Sequence, residues 1–416
     1  MAIGARHARI LDHSPAVTTQ APNRLTPMRF VIAFGLISAL GDFVYEGARS
    51  ITGPYLATFG ASAALVGFIT GAGEAVALVF RFWTGKLSDR TQQHWTQSIA
   101  GYAMTMVSVP LMAVAWTLWP AAVLTITERF GKAVRTPARD TMLAQASVDI
   151  GRGHAFAVHE ALDQSGAFVG PLVVALAIAL GGGSRWGFAI LVVPGIAAMF
   201  VIFRLRRAVP APEAYEHAAQ ARRKDLELEP SHLPARFWWY AGYTSLNMLG
   251  FATFAVLAYH LQVQHVVKEA VIPIVYAVAM GMAALGALGS GRLYDRIGLR
   301  GLVVVPLLTA IVPFLSFSTM PAVIWIGAAV WGLGLGMHES TMRAAVADLV
   351  PPSRRGAGYG TFTAIYGLTW MAGGTLFGVL YGHSVGSVEI FVVITQVVAL
   401  IAFVPVALGS GGRRGL

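Results

Sequence analysis

Asp42, Glu46 and Arg49 stand four and three residues apart in a stretch that is otherwise apolar, "FVIAFGLISALGDFVYEGARSITGPYL". At 3.6 residues per turn this spacing puts all three on one helix face. Two carboxyls and a guanidinium so placed can hold and release a proton. Burial favours the neutral carboxyl, a nearby arginine favours the carboxylate, and moving the arginine moves the proton.

Similar groups recur downstream. Glu74 lies in a second apolar stretch, seven residues before Arg81. In "TERFGKAVRTPARD", Glu128, Lys132, Arg135 and Arg139 fall on one helix face with Arg129 beside it. In "HAFAVHEALDQSGAF", His159 and Asp163 share a face, and Glu160 and Gln164 share the next. The acids Asp42, Glu46, Glu74, Glu128, Glu160 and Asp163 nearly balance the bases Arg49, Arg81, Arg129, Lys132 and Arg135. A charge at the centre of a membrane helix costs on the order of 3 kcal/mol. These faces are therefore expected to turn inward, around a hydrated passage. Asp42 and Glu46 lead as proton carriers, followed by Glu128 and Asp163. Arg49, Glu74, Arg129, Lys132 and Arg135 are candidates for binding a solute. For each residue the alternative is a plain ion pair holding helices together.

The second half differs. "MHESTMR" sets Glu339 four residues before Arg343, with His338 adjacent. Tyr240, Tyr243 and Asn247 share one face, as do Tyr359, Thr363, Tyr366 and Trp370. An aromatic stripe with a few hydroxyls suits the wall of an organic-molecule site. Asn247, His338, Glu339, Tyr366 and Trp370 are the candidate contacts, with simple packing as the alternative.

The elements that must carry these residues are membrane helices. The chain has 416 residues, 56% hydrophobic and 12% charged, where a soluble domain has roughly a quarter charged. Runs such as "AILVVPGIAAMFVIF" and "IFVVITQVVALIAFVPVAL" carry no charge and do not alternate as barrel strands would. Hydropathy predicts an all-α membrane protein with twelve helices. They fall near 29–59, 62–84, 96–118, 120–146, 154–180, 186–207, 236–262, 270–290, 301–318, 321–349, 356–383 and 388–409. The polar stretch between helices six and seven divides the chain. Residues 1–28 read as a tail, 29–207 as one six-helix bundle, 208–235 as a linker, 236–410 as a second bundle and 411–416 as a second tail.

The net charge of +10 is topological and does not point to nucleic acid. Most Lys and Arg fall on the side of the two tails, with Arg185 and Lys268 opposite, so both termini are expected in the cytoplasm. No secretory leader is evident. The absence of cysteine excludes disulfides, thiolate metal sites and thiol catalysis, and no metal centre is expected.

The halves resemble each other. "GKLSDR" (85–90) and "GRLYDR" (291–296) lie 206 residues apart, the starts near Phe30 and Phe237 lie 207 apart, and "IGRGHAF" and "SRRGAGY" lie 203 apart. Parallel repeats imply a site between the halves with alternating access around it.

These residues resemble the major facilitator superfamily, over essentially the whole chain from residue 29. Gly85, Asp89 and Arg90 resemble its signature Gly-x-x-x-Asp-Arg-x-Gly-x-Arg between helices 2 and 3. Gly291, Asp295, Arg296, Gly298 and Arg300 match it more fully. The first copy departs at Gln92, Gln93 and His94. The resemblance implies a gating latch at these loops, with Asp140 a candidate partner for Arg90. Arg129 stands where proton-coupled exporters of the superfamily often place a helix-4 arginine, although "ERFGKA" departs from Arg-x-x-Gln-Gly. "GAFVGP" (166–171) resembles the antiporter pattern Gly-x-x-x-Gly-Pro, or else generic close packing of small residues.

The resemblance implies a secondary active transporter. The preferred reading is proton-coupled export, by antiport, of a small amphiphilic or charged organic compound. Next stands proton-coupled uptake of an organic anion or nutrient, then a lipid flippase or a receptor without transport. No HExxH, GxSxG or Walker-type loop points to an enzyme. The expected partners are a small-molecule substrate, protons and membrane lipid. The expected energy source is the proton gradient with no cofactor, and the expected setting is a bacterial inner membrane with the protein as a monomer.

Overall fold

The computed structural model describes residues 24–148, 150–215, 233–350 and 355–408. The side chains at 152, 153, 295, 342–344, 347, 355–357 and 408 lie outside that description, as do most of the expected tails and linker. The described residues are helical almost throughout, with no strand among them. The first half contains α1 (Pro27–Thr58), α2 (Ala63–Thr91), α3 (His94–Leu111), α4 (Leu118–Ala146), α5 (Arg152–Ala177), α6 (Gly183–Ile190) and α7 (Val192–Ala208). The second contains α8 (Ala235–Leu249), α9 (Phe254–Val263), α10 (Ile272–Ile297), α11 (Val304–Ser316), α12 (Pro321–Leu349), α13 (Arg355–His383) and α14 (Val385–Leu408).

Among the described residues ten segments are long and apolar enough to cross a membrane. One of them, His154–Ala208, runs through α5, α6 and α7, where the chain reverses at Gly181 and Gly183, both at positive φ. Helix α4 is not among the ten, because its charges dilute its hydropathy. That is ten where twelve are expected; α4 and a second limb of that reversal would make up the difference.

Two sequence boundaries need correction. The helix predicted over 96–118 ends at Leu111, followed by a 3-10 turn to Val114 and extended backbone at Ala115. The helix predicted over 236–262 is broken at residues 250–253, between α8 and α9. Gly250 presses against Thr395 and Gln396 of α14, leaving no room for a side chain. Trp331 donates its indole N–H to the freed carbonyl of Ala252 at 2.7 Å, so the break leaves that buried acceptor satisfied.

Each half has its own apolar core. Phe30, Phe34, Val44, Ile51 and Met106 belong to the first, and Phe237, Phe254, Trp331 and Phe362 to the second. Apolar side chains such as Leu180, Ile196, Ile390 and Ile401 point outward, as a lipid-facing surface requires. Within the first lobe α1 packs on α5. A side chain at Gly166 or Gly170 would run into the carbonyl of Ala39 or Phe43, so the "GAFVGP" glycines serve this close crossing.

The lobes meet along α2 and α13, α5 and α10, and α1 and α9. At the end of the molecule away from the start of α1, Gly53 abuts the backbone of Ala255. There Glu269 accepts from the Ser184 N–H at 3.0 Å and from its hydroxyl. Glu160 and Glu339, nearer the face where α1 begins, are exposed. The cleft therefore opens toward that face and is closed at the other.

Candidate functional site

Most of the charges expected to face inward are buried, Glu160 being exposed, and the buried ones separate into two clusters. Asp42, Glu46, Glu74, Glu128, Arg129, Arg135 and Asp163 are each at least nine-tenths buried.

The central cluster joins α1, α2 and α4. One oxygen of Glu74, Oε1, accepts from Arg49 Nη2 and Arg129 Nη2, both at 3.0 Å. Arg49 Nη1 lies 3.7 Å from Glu46 Oε2, and Arg129 Nε lies 3.4 Å from Glu128 Oε2. Tyr45 sits between the arginines. Its hydroxyl accepts from Arg49 Nη1 at 3.1 Å and from Arg129 Nη1. Its ring lies 4.0 Å from both the Arg129 guanidinium and the Lys132 ammonium, a cation–π arrangement. The second lobe contributes Tyr276, whose hydroxyl donates to Glu46 Oε2, and Trp370, whose ring lies 5.8 Å from Arg49.

A cavity of about 30 Å3 lies against this cluster, lined by Tyr45, Arg49, Glu74, Glu128, Arg129 and, from the second lobe, Thr253. That is room for one or two waters, so a larger occupant needs the lobes to part. Glu128 Oε1, Thr253 Oγ1, Tyr366 Oη and Trp370 Nε1 are buried with no hydrogen-bond partner among the described residues. Buried polar atoms are seldom left so, and water or a bound solute would satisfy them.

The second cluster lies one turn nearer the open face and joins α1, α3, α4 and α5. Arg135 donates to Thr105 Oγ1 at 2.7 Å and lies 3.7 Å from Asp42 Oδ1 and 4.8 Å from the Tyr102 ring. The Tyr102 hydroxyl, Ser38 Oγ and His159 Nε2 form a hydrogen-bonded chain with steps of 3.0 and 2.8 Å. Asp163 is close enough to Asp42 for their charges to interact, and its Oδ1 has no hydrogen-bond partner among the described residues. His159, Glu160 and Asp163 each bring a ligand-type atom within 4.8 Å of the others. Glu160 Oε1 also accepts from Gln164 at 3.2 Å, matching the second face read from the sequence.

Other predicted residues lie elsewhere. Asn247 is fully buried in the second lobe and donates to Gln396 at 2.7 Å, so its amide is engaged within that lobe. His338 packs on the Tyr366 ring at 5.3 Å. Glu339 is exposed, within electrostatic reach of Arg49 and Lys132. Asp140 pairs with neighbouring Arg139 at 2.9 Å, while Arg90 is exposed at the end of α2. The expected Arg90–Asp140 bridge is therefore not made in this state, in which the cleft is open on that side. Gly85 lies near Pro137 of α4, and Asp89 caps the turn through its carbonyl, which accepts from Gln92. Gly291 lies within α10 with open space around it, Arg296 is exposed, and the Asp295 side chain lies outside the description.

Tyr45, Tyr276, Ser38 and Tyr102 escaped the sequence reading. Tyr45 alone carried a signal, being wedged between Asp42, Glu46 and Arg49 in the sequence.

Two helical lobes around a buried, charged centre are the architecture of a membrane transporter. The profile described as Major Facilitator Superfamily matches residues 34–374 and 244–410, and the chain belongs to that family. It is a multi-pass membrane protein and a secondary transporter. An uncharacterized protein of Mycobacterium tuberculosis is 46% identical over 385 residues, covering 92% of this chain and 94% of that protein. An uncharacterized MFS-type transporter of Methanocaldococcus jannaschii is 23% identical over 364 residues, covering 84% and 88%. Among solved structures, the nucleoside transporter NupG superposes with a TM-score of 0.71 at 14% identity, over 91% of this chain and 99% of that one. A POT family transporter in complex with 5-aminolevulinic acid gives 0.70 at 12% identity, over 92% and 96%.

Proposed function

We propose that this chain is a proton-coupled antiporter that exports a small amphiphilic or charged organic compound across a bacterial inner membrane, with both termini in the cytoplasm. The observation that carries this is the second cluster. Asp42 and Asp163 are both buried and within electrostatic reach of each other, and Arg135 pairs with Asp42 at 3.7 Å. Two neighbouring buried carboxyls resist ionising together, which suits the pair to taking up and releasing one proton. A rocking motion that shifts Arg135 relative to Asp42 changes how tightly that proton is held. The open face then exchanges cytoplasmic solute at the central cluster, and the opposite state exchanges protons with the outside. Glu46 and Glu128 stand next to these events, as acids whose arginine partners sit in the solute cavity.

Uptake of an organic anion is the second reading, favoured by the convergence of Arg49, Arg129 and Lys132 on Tyr45 at the cavity. Arginine pairs suit carboxylate or phosphate. Solved structures of the same fold include a nucleoside transporter and a POT family transporter in complex with 5-aminolevulinic acid, so the fold accommodates small polar organic molecules.

The test is transport in proteoliposomes with an imposed pH gradient and a pH-sensitive dye inside. Organic cations, anions and lipids are added one at a time. Proton movement opposite to an added compound supports antiport, and movement with it supports uptake. Binding without any proton or solute flux would overturn the transport coupling proposed here.

A further inference from the structure

His159, Glu160 and Asp163 bring an imidazole and two carboxylates together on α5, at the edge of the open cleft. We propose that these three side chains bind a divalent transition-metal cation that enters from the cleft. The absence of cysteine rules out thiolate ligands only, and a nitrogen-and-oxygen set needs none.

The geometry comes from one helix. Asp163 follows His159 by four residues and Glu160 by three, so it neighbours both on the helix surface. A ligand-type atom from each of the three lies within 4.8 Å of the other two. Metal–ligand bonds of about 2.0–2.4 Å fit that spacing, with the ion between the three atoms and only small side-chain movements. The ligands face one another, so the ion itself fills the space among them. Separately, Asp163 is 9% exposed and its Oδ1 has no hydrogen-bond partner among the described residues. A buried carboxylate is normally paired, or coordinates a metal.

Charge and support agree with a cation. The nearby bases are engaged elsewhere: Arg135 lies 3.7 Å from Asp42, Arg139 lies 2.9 Å from Asp140, and Lys132 sits over the Tyr45 ring. Arg139 and Lys132 reach Asp163 only through space. Among the described residues neither Glu160 nor Asp163 forms an ion pair, so two carboxylates and a neutral imidazole match a doubly charged ion. The His159 ring is held by Ser38, whose Oγ lies 2.8 Å from Nε2 and continues to the Tyr102 hydroxyl. A metal-bound imidazole is normally oriented in this way through its other nitrogen, and ligation then falls to Nδ1. The imidazole selects a transition metal over magnesium. Glu160 is exposed and within electrostatic reach of Glu339 across the cleft, which gives the ion an entry path. Asp163 also belongs to the acid pair described above, so a bound cation and a proton exclude each other there. The site itself stands on ligand geometry and holds whichever solute the protein carries.

The experiment uses the purified full chain in detergent, its affinity tag cleaved and its metals stripped with a chelator. Mn2+ is titrated in, and free Mn2+ is read from its electron paramagnetic resonance signal. A single saturable Mn2+ site is expected. Glu160→Gln and Asp163→Asn should each weaken it by roughly tenfold or more, since even an outer partner of a metal ligand is worth that much. Glu160 is exposed, so its variant keeps the test decisive if a buried variant fails to fold. Glu339→Gln is the control. It removes a cleft carboxylate that is not a ligand, and binding should be nearly unchanged. Zn2+ should displace the bound Mn2+ at far lower concentration than Mg2+. Unchanged binding in Glu160→Gln, or equal weakening by Glu339→Gln, would overturn the site. Equal displacement by Mg2+ and Zn2+ would overturn a transition metal as its occupant. Binding is read without any flux, so failure here is distinct from failure of the transport reading.

Discussion

Tyr276 of the second lobe donates its hydroxyl to Glu46 of the first, at the level of the central cluster. Glu46 thus faces Arg49 on its own helix and a neutral donor across the lobe interface. The bond can exist only while α1 and α10 are in register, so it belongs to the state in which the far end is closed.

Tyr276→Phe should shift the lobe equilibrium away from that state. A hydrogen bond to a charged group contributes about 1.5–3 kcal/mol, so the closed-to-open ratio should change roughly tenfold or more. The chain has no cysteine, and a single introduced pair at the far ends of α1 and α9 can be spin-labelled without background. Distance distributions that match the parent would refute a bias from this bond.

At the closed end Glu269 supplies the first-turn N–H of α6 with a carboxylate from the other lobe. A carboxylate at a helix start is favourable, and here it also ties the lobes. Glu269→Gln and Ser184→Ala should each loosen the closed end, by about 1 kcal/mol for loss of a capping interaction. The same spin-label pair would report a longer population. A variant effect confined to α6 stability, with no change in the inter-lobe distance, would argue against a latch.

The inward faces could be read from the sequence because charge in an apolar helix is costly, and only an interior with partners explains so many such residues. Their division into two clusters could not. Asp42 and Glu46 share a helix face, yet Asp42 turns to Arg135 and Asp163 while Glu46 turns to Arg49 and Tyr276. Tyr276 lies 230 residues from Glu46, and a lone tyrosine in an apolar helix looks like packing. The break at 250–253 was hidden for a similar reason. Nothing local in "NMLGFATF" reveals that Trp331 waits to receive the Ala252 carbonyl.

Glu74 shares one oxygen between two arginines. Glu74→Gln would leave Arg49 with Glu46 at 3.7 Å and Arg129 with Glu128 at 3.4 Å, both looser contacts. Removing one partner of a buried ionic group costs about 3–5 kcal/mol. The purified variant should therefore unfold at a clearly lower temperature. Arg49→Met with Glu74→Gln should recover part of the loss, because the pair is then removed together. If the double variant is less stable than the sum of the singles, the two side chains do not act as partners.

Asp42 and Asp163 predict effects of different size from chemically identical substitutions. Asp42→Asn takes the counter-charge from Arg135, which is 1% exposed and cannot turn to solvent. Destabilisation of about 3–5 kcal/mol is expected. Asp163→Asn removes a charge that faces Asp42 and replaces an oxygen lacking a hydrogen-bond partner. It should cost less than Asp42→Asn, because where Asp163 carries the shared proton the amide replaces a neutral acid of nearly the same shape. Both variants should nonetheless abolish proton movement coupled to solute, because each removes one of the two carboxyls that hold the shared proton. Thermal unfolding and dye-reported proton flux on the same preparations separate the two properties. Retention of coupled flux by Asp163→Asn would move the proton site to Glu46 or Glu128. Equal destabilisation by both variants would mean that Asp163 is charged and held by Arg139, which lies within electrostatic reach of it.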